Sequence, residues 1–177
     1  MLDRLYIVSV NKQLWYKIYN HTMHLEQAKK EDVELIKEMW YKLAKEMESY
    51  SKLNKIVYSS PQEVPESEII DQIENNNDII YSFIIHEGIK VGFIKIRRGY
   101  HESRKYSKYI DITDLYVLKK YRNRGYGSIA IDKIKRIAKE TGCDIVKVSC
   151  EHNNTDVQRL YDKEGFQKKQ VEFFYEI

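Results

Sequence analysis

The chain has 177 residues, of which 42% are hydrophobic and 12% aromatic, and its formal net charge is +3. This length and composition fit a globular fold with a sizeable core. The small net charge disfavours a nucleic-acid-binding protein, for which a strongly basic surface is expected. The apolar run Leu5 to Val10 is too short for a signal-peptide core or a membrane span. The two cysteines form no metal-ligand pattern. We therefore expect a cytoplasmic protein with no metal site, no nucleic-acid partner and no membrane partner.

The first half of the chain predicts strands separated by two helices. Residues 1–22 contain one or two strand-like runs and are interpreted as an N-terminal extension. Apolar residues recur at helical spacing in 31–47, and Glu87-Gly88 forms a turn typical of a β-hairpin. In chain order the predicted elements are strand 23–28, helix 31–47, helix 65–73, and strands 79–86 and 89–97.

The second half predicts alternating strands and helices. Gly142 and Gly165 stand where glycine ends a helix. The predicted elements are strand 109–117, helix 125–141, strand 144–151, helix 154–164, and a final strand or strand pair in 166–175. Because helices both precede and follow the central strands, we expect an α/β fold in which a mixed sheet carries helices on both faces.

The most informative segment is Tyr121 to Ser128, which lies between a predicted strand and a predicted helix. Two glycines spaced Gly-x-Gly let backbone N–H groups turn toward one point, where the helix N-terminus adds partial positive charge. Arg122 and Arg124 add full charges. The segment therefore predicts a diphosphate cradle. The dinucleotide-binding fingerprint would need a third glycine, and Ala130 occupies that position.

Three motifs in this order resemble the GNAT N-acetyltransferase superfamily. They are Asp114-Leu115-Tyr116-Val117 on the strand, Arg122-x-x-Gly125-x-Gly127 in the loop, and the frame from Asn154 through Leu160-Tyr161 to Gly165-Phe166. The resemblance covers 23–177 as one domain, excludes the extension 1–22, and implies a mostly antiparallel mixed sheet. It implies acetyl-CoA as cosubstrate and direct acetyl transfer to an amine. The implied cofactor-binding residues are Leu115, Tyr116, Val117, Arg122, Asn123, Arg124, Gly125, Tyr126, Gly127, Ser128, Asn154 and Tyr161.

The same resemblance implies catalytic roles. Tyr161 stands where the family places a tyrosine near the cofactor sulfur, and it is the expected general acid. Asn154 is expected either to contact the cofactor, to cap its helix, or to do both. Asp111 is the first candidate for the general base, acting through a water molecule, and Asp114 is the second. Strict period-two alternation puts Asp111 on one face of the strand with Leu115, and Asp114 on the other face.

The sequence leaves the acceptor open. A cationic amine such as a polyamine or a lysine side chain is the first candidate, followed by a protein N-terminus and then an aminoglycoside-like molecule. The alternative to an enzyme is a CoA-binding regulatory module without turnover, and a domain that stacks nucleic-acid bases on its tyrosines is a third interpretation. A monomer and a homodimer are both compatible with the sequence.

Overall fold

A computed structural model describes residues 23–177, so the strands expected in 1–22 lie outside the described residues. A five-stranded sheet has the order β1-β2-β3-β4-β5. Neighbouring strands are antiparallel except for β4 and β5, which are parallel. The strands are β1 Met23–Gln27, β2 Ile79–His86, β3 Ile89–Tyr100, β4 Lys108–Val117 and β5 Ile145–Val148, and the helices are α1 Val33–Met47, α2 Glu66–Asn75, α3 Tyr126–Glu140 and α4 Thr155–Lys163.

The helices cover both faces of this sheet, as the sequence predicts. On one face, α1 and α2 pack through residues such as Ile36, Met39 and Ile69 onto Phe83 and Phe93. On the other face, the apolar stripe of α3 packs onto alternate residues of β3 and β4, and α4 adds Leu160 and Tyr161. The apolar side chains of the helices and strands therefore pack in two layers, one on each side of the sheet.

A β-bulge at Thr113 changes the faces of β4. Ile112 pairs with Ile96 and Asp114 pairs with Lys95, so Thr113 is an extra residue opposite β3. Leu115 therefore packs on the α3 side, while Tyr116 is buried on the α1 side. The prediction from strict alternation was wrong at this point, since Asp111 and Asp114 now share the α1 face of the sheet.

The C-terminal end differs from the predicted order. Strand β5 ends at Val148, and residues 167–177 form no regular secondary structure, so the strand predicted in 166–175 was wrong. Phe166 packs against Tyr161, whereas Phe173 and Tyr175 are each 91% exposed. These residues pair with none of the described strands and so gain no ladder hydrogen bonds from them, and strand propensity alone does not make the segment a strand. No helix within 23–177 is long and apolar enough to cross a membrane.

Candidate active site

Strand β4 and the edge strand β5 separate partway along β4. Their pairing runs from Tyr109 opposite Ile145 to Ile112 opposite Val148 and then stops. Beyond the bulge, residues 114–117 of β4 pair with β3 only, and no described strand pairs with their other edge. Such an edge presents backbone N–H and C=O groups to whatever enters the gap. The gap therefore offers an extended ligand the hydrogen bonds of an added strand.

The predicted diphosphate cradle lies directly after this open edge. Gly125 is the N-cap of α3 and has φ of 82°, a left-handed conformation that glycine adopts without steric cost. Asn123 is also left-handed, with φ of 61°. The first N–H groups of any helix have no partner within the helix, and α3 carries no side-chain cap. The segment that starts α3 is therefore chemically suited to an anion.

Helix α4 approaches this cradle and the gap together. A Cβ atom on Gly127 would lie 3.4 Å from a methyl carbon of Leu160, so the small residue lets α4 pack closely against the first turn of α3. The next residue, Tyr161, has its hydroxyl 3.5 Å from the carbonyl oxygen of Ser149, just past the end of β5. Burial, followed by the nearby Cys150, raises the pKa of Tyr161 to about 12, so its phenol is protonated at neutral pH.

Asn154 occupies the position of the α4 N-cap. Its Oδ1 accepts a hydrogen bond of 3.2 Å from the backbone N–H of Val157, and the residue is only 7% exposed. The capping role that the sequence allowed is therefore present. Because capping uses only the amide oxygen, the amide nitrogen of Asn154 remains available as a donor.

Arg122 contacts the end of β4 and helix α1. Its Nε donates to the carbonyl oxygen of Val117 at 2.8 Å, and one terminal nitrogen donates to Glu46 at 2.8 Å. The guanidinium also lies 5.3 Å from the centre of the Tyr116 ring. Arg122 thus links the end of β4 to α1, and its charge is paired with Glu46. The nearby Arg124 is exposed and lies near the Tyr121 ring.

Two of the predicted cofactor-binding residues, Tyr126 and Tyr116, have buried side chains. Tyr126 is 2% exposed within the core under α3, with its ring 5.1 Å from that of His86. Tyr116 is 3% exposed on the α1 face, and its hydroxyl lies 3.4 Å from a carboxylate oxygen of Glu46. Both side chains are directed into the protein, so any ligand contact that they make comes from their backbone.

The two candidate bases have different surroundings. Asp111 Oδ2 lies 2.9 Å from Arg97 and 3.1 Å from Lys147, so this carboxylate is engaged by two cations. Asp114 accepts a hydrogen bond of 3.1 Å from Thr113. Burial raises the pKa of Asp114, opposed by Lys95 and by the Thr113 hydroxyl. A carboxylate with a raised pKa holds a proton more readily than an ordinary carboxylate, which is the property expected of a general base.

Sequence reasoning missed the partners of several site residues. Glu46, which pairs with Arg122, lies far away along the chain on α1, and Arg97 and Lys147 lie on the strands that flank β4. The alternation within β3 could have indicated that Lys95 and Arg97 share a face. Their pairing with Asp114 and Asp111, however, depends on the bulge, which no local signal specifies.

The comparisons with known proteins agree on one family. A family model described as the acetyltransferase (GNAT) family matches residues 35–166. A Bacillus subtilis (strain 168) protein, named only provisionally as an acetyltransferase, is 26% identical over 122 residues, which is 68% of this chain and 76% of that protein.

Solved structures with the same fold include proteins of related description. One is a possible acetyltransferase from Clostridium difficile 630, with TM-score 0.71 and 19% identity over 88% of this chain and 98% of that one. Another is the aminoglycoside N-acetyltransferase AAC(6')-Iy in complex with CoA, with TM-score 0.62 and 19% identity over 88% and 94% of the two chains. A third is an aminoglycoside acetyltransferase from an uncultured soil metagenomic sample, with TM-score 0.66 and 17% identity over 89% and 98%. Since the family model spans three quarters of the sequence, the chain belongs to the GNAT acetyltransferase family.

Proposed function

We propose that this protein is an N-acetyltransferase that moves an acetyl group from acetyl-CoA directly to a primary amine. The observation that carries the proposal is the open edge of β4, which leads into the left-handed turn at Gly125 and the start of α3. An extended arm in the gap and a diphosphate at the helix N-terminus would then be bound by one continuous surface.

The chain's own groups fit such a cosubstrate. Backbone groups of 115–117 would bind the pantetheine arm, and N–H groups of 123–128 would bind the diphosphate. The amide nitrogen of Asn154 is a further donor to that arm. When bound, acetyl-CoA supplies an activated acetyl thioester. An N–H group at the open edge of β4 is also suited to stabilise negative charge that develops on the acetyl oxygen.

Tyr161 is proposed as the general acid. Its hydroxyl lies near Ser149, at the point where β4 and β5 separate, which is where a thiol would emerge from an arm bound along β4. The raised pKa keeps its proton in place at neutral pH. A phenol can donate this proton to a departing thiolate and recover it from solvent.

Asp114 is proposed as the general base, in preference to Asp111. An amine acceptor is mostly protonated near neutral pH and must lose a proton before it reacts. Asp114 lies on the α1 face of the sheet and forms no ion pair with a described residue, whereas Asp111 is held by Arg97 and Lys147. A water molecule between Asp114 and the amine would carry the proton.

Release of free thiol from acetyl-CoA tests this function, with amines added one at a time. Acetyl transfer predicts that thiol release depends on the amine and that mass spectrometry finds the acetyl group on its nitrogen. Thiol release that does not respond to any amine would indicate hydrolysis instead. Binding of CoA without thiol release by any amine would favour a CoA-binding module without turnover.

A further inference from the structure

We propose that the acceptor is a small primary amine that carries an anionic group, a carboxylate or a phosphate, a few bonds away from its nitrogen. This inference rests on the acetyl transfer proposed above and concerns the acceptor side of the same site. It is drawn from a row of charged residues on the α1 face of the sheet, in which Arg97 and Lys147 are about half-exposed.

Three successive rows of residues cross this face. They change from apolar to charged toward the β3–β4 loop. The first row is Phe83–Phe93–Tyr116, the second is Tyr81–Lys95–Asp114, and the third is Ile79–Arg97–Asp111–Lys147. The first row is buried under α1. The second row contains the proposed base, and the third lies beyond it, so an acceptor whose amine reaches Asp114 extends toward Arg97 and Lys147.

The third row has more positive than negative charge. Arg97 and Lys147 both contact a single oxygen of Asp111, at 2.9 and 3.1 Å. The Asp111 side chain is 15% exposed, whereas those of Arg97 and Lys147 are 52% and 42% exposed. One carboxylate neutralises one of the two cations, and a guanidinium with five donors has capacity for a second acid.

An aromatic residue beside the third row, Tyr109, holds Lys147 in position. Lys147 lies 4.3 Å from the centre of the Tyr109 ring, and His101 stacks on the same ring at 4.9 Å. These contacts hold the lysine over the sheet instead of letting it extend into solvent. The third row is thus a supported cationic site, where a surface lysine alone would be free to move.

The second row has no such excess of positive charge. Asp114 lies opposite Lys95 across the strands, and the Lys95 nitrogen lies 5.0 Å from the centre of the Tyr81 ring. One carboxylate and one ammonium balance there, so a cationic amine meets less repulsion at the second row than beside Arg97 and Lys147.

The separation of the two rows sets the size of the acceptor. Residues two apart on a strand and on the same face are about 7 Å apart. An amine hydrogen-bonded near Asp114 and an acid bound by Arg97 would then be separated by a few bonds. This dipolar arrangement disfavours polycations such as polyamines and aminoglycosides, because their additional positive charges would meet Arg97 and Lys147.

Matched acceptors test the inference. We would compare kcat/KM for β-alanine with that for its carboxamide, and add 2-aminoethyl phosphate, spermidine and kanamycin. The carboxamide lacks the anion and has the more weakly basic amine, so it would react better if charge recognition were absent. We expect β-alanine or 2-aminoethyl phosphate to exceed the carboxamide by about tenfold or more, and the better of the two identifies the acid.

The variant Arg97→Gln should bring this acid-to-carboxamide ratio toward one by raising KM for the acid. The matched control is Arg98→Gln, because Arg98 is the next residue of β3, points to the opposite face and contacts Asn77 and Asp78. The control should keep the ratio. A ratio of two substrates on the same protein does not depend on the folded fraction, so partial unfolding of a variant does not obscure it.

Two results would overturn the inference. Efficient transfer to spermidine or kanamycin together with an acid-to-carboxamide ratio of one or less would refute the anionic acceptor and leave acetyl transfer standing. A ratio that Arg97→Gln does not change would show that the third row does not bind the acid. Absence of thiol release with every amine would instead refute the proposed acetyl transfer, on which this inference rests.

Discussion

Two asparagine substitutions should separate the roles of the carboxylates on β4. Asp114→Asn removes the proposed base, and loss of a general base typically lowers the rate by about 100- to 10,000-fold. Burial raises the pKa of Asp114 in the folded protein. The folded state therefore binds its proton more tightly than the unfolded state, and stability falls as the pH rises from the unfolded pKa through the folded one. At neutral pH the substitution removes this cost, so the Tm should stay unchanged or rise.

Asp111→Asn should lower the stability of the fold and keep most of the activity. It leaves Arg97 and Lys147 close together without their shared carboxylate. Because both cations are half-exposed, we expect a loss of about 1–2 kcal/mol, which lowers the Tm by roughly 2–8 °C in a chain of this size. Its kcat should fall by much less than that of Asp114→Asn.

The assay is kcat/KM for the best acceptor from pH 5 to 9, with thermal melts of each variant at pH 7. The wild type should lose activity toward low pH as Asp114 becomes protonated, and Asp114→Asn should lose this limb of the profile along with most of its rate. Full activity of Asp114→Asn, combined with a large loss of kcat in a folded Asp111→Asn, would refute the assignment and restore Asp111 as the base.

Three further changes test other parts of the site. Tyr161→Phe should lower kcat by roughly 100-fold or more while acetyl-CoA binding measured by calorimetry holds, and unchanged kcat would remove Tyr161 as the acid. Gly92→Ala should destabilise the fold by about 2 kcal/mol or more, measured by urea unfolding, because a Cβ there would overlap the carbonyl oxygen of Tyr116; normal stability would contradict the close approach of β3 and β4. Glu46→Gln should raise KM for acetyl-CoA more than it lowers kcat, since it weakens the contact that holds Arg122 against the strand end; an unaltered KM would show that this contact does not shape the loop.

Much of the fold follows from local signals. The apolar stripe of α3 and the turn at Glu87-Gly88 each specify an element through spacing or backbone preference, and both were confirmed. The glycine loop could be recognised because Gly125 needs a left-handed backbone at the start of a helix. These features depend on residues close together in sequence, which is why the sequence alone predicts them.

The environment of the carboxylates could not be predicted in the same way. The bulge at Thr113 inverts the expected face of Asp114, and it is visible only in the pairing of β4 with β3. The ion pairs of Asp111 involve residues 14 positions before it and on a strand beyond α3. In residues 167–177 the sequence predicted a strand that is not present, because the apolar residues there pair with no described strand. Pairing partners decide these features, and local propensity does not contain them.

The most direct test of the central claim is calorimetric titration of the protein with acetyl-CoA, with NADH titrated as a control that also carries a diphosphate. The open edge of β4 together with the start of α3 predicts micromolar binding of acetyl-CoA and no comparable binding of NADH, because only the former has an arm that can lie along the strand. Absence of acetyl-CoA binding would contradict the role assigned to the gap between β4 and β5, and equal binding of both ligands would show that the loop binds a diphosphate without contribution from the strand.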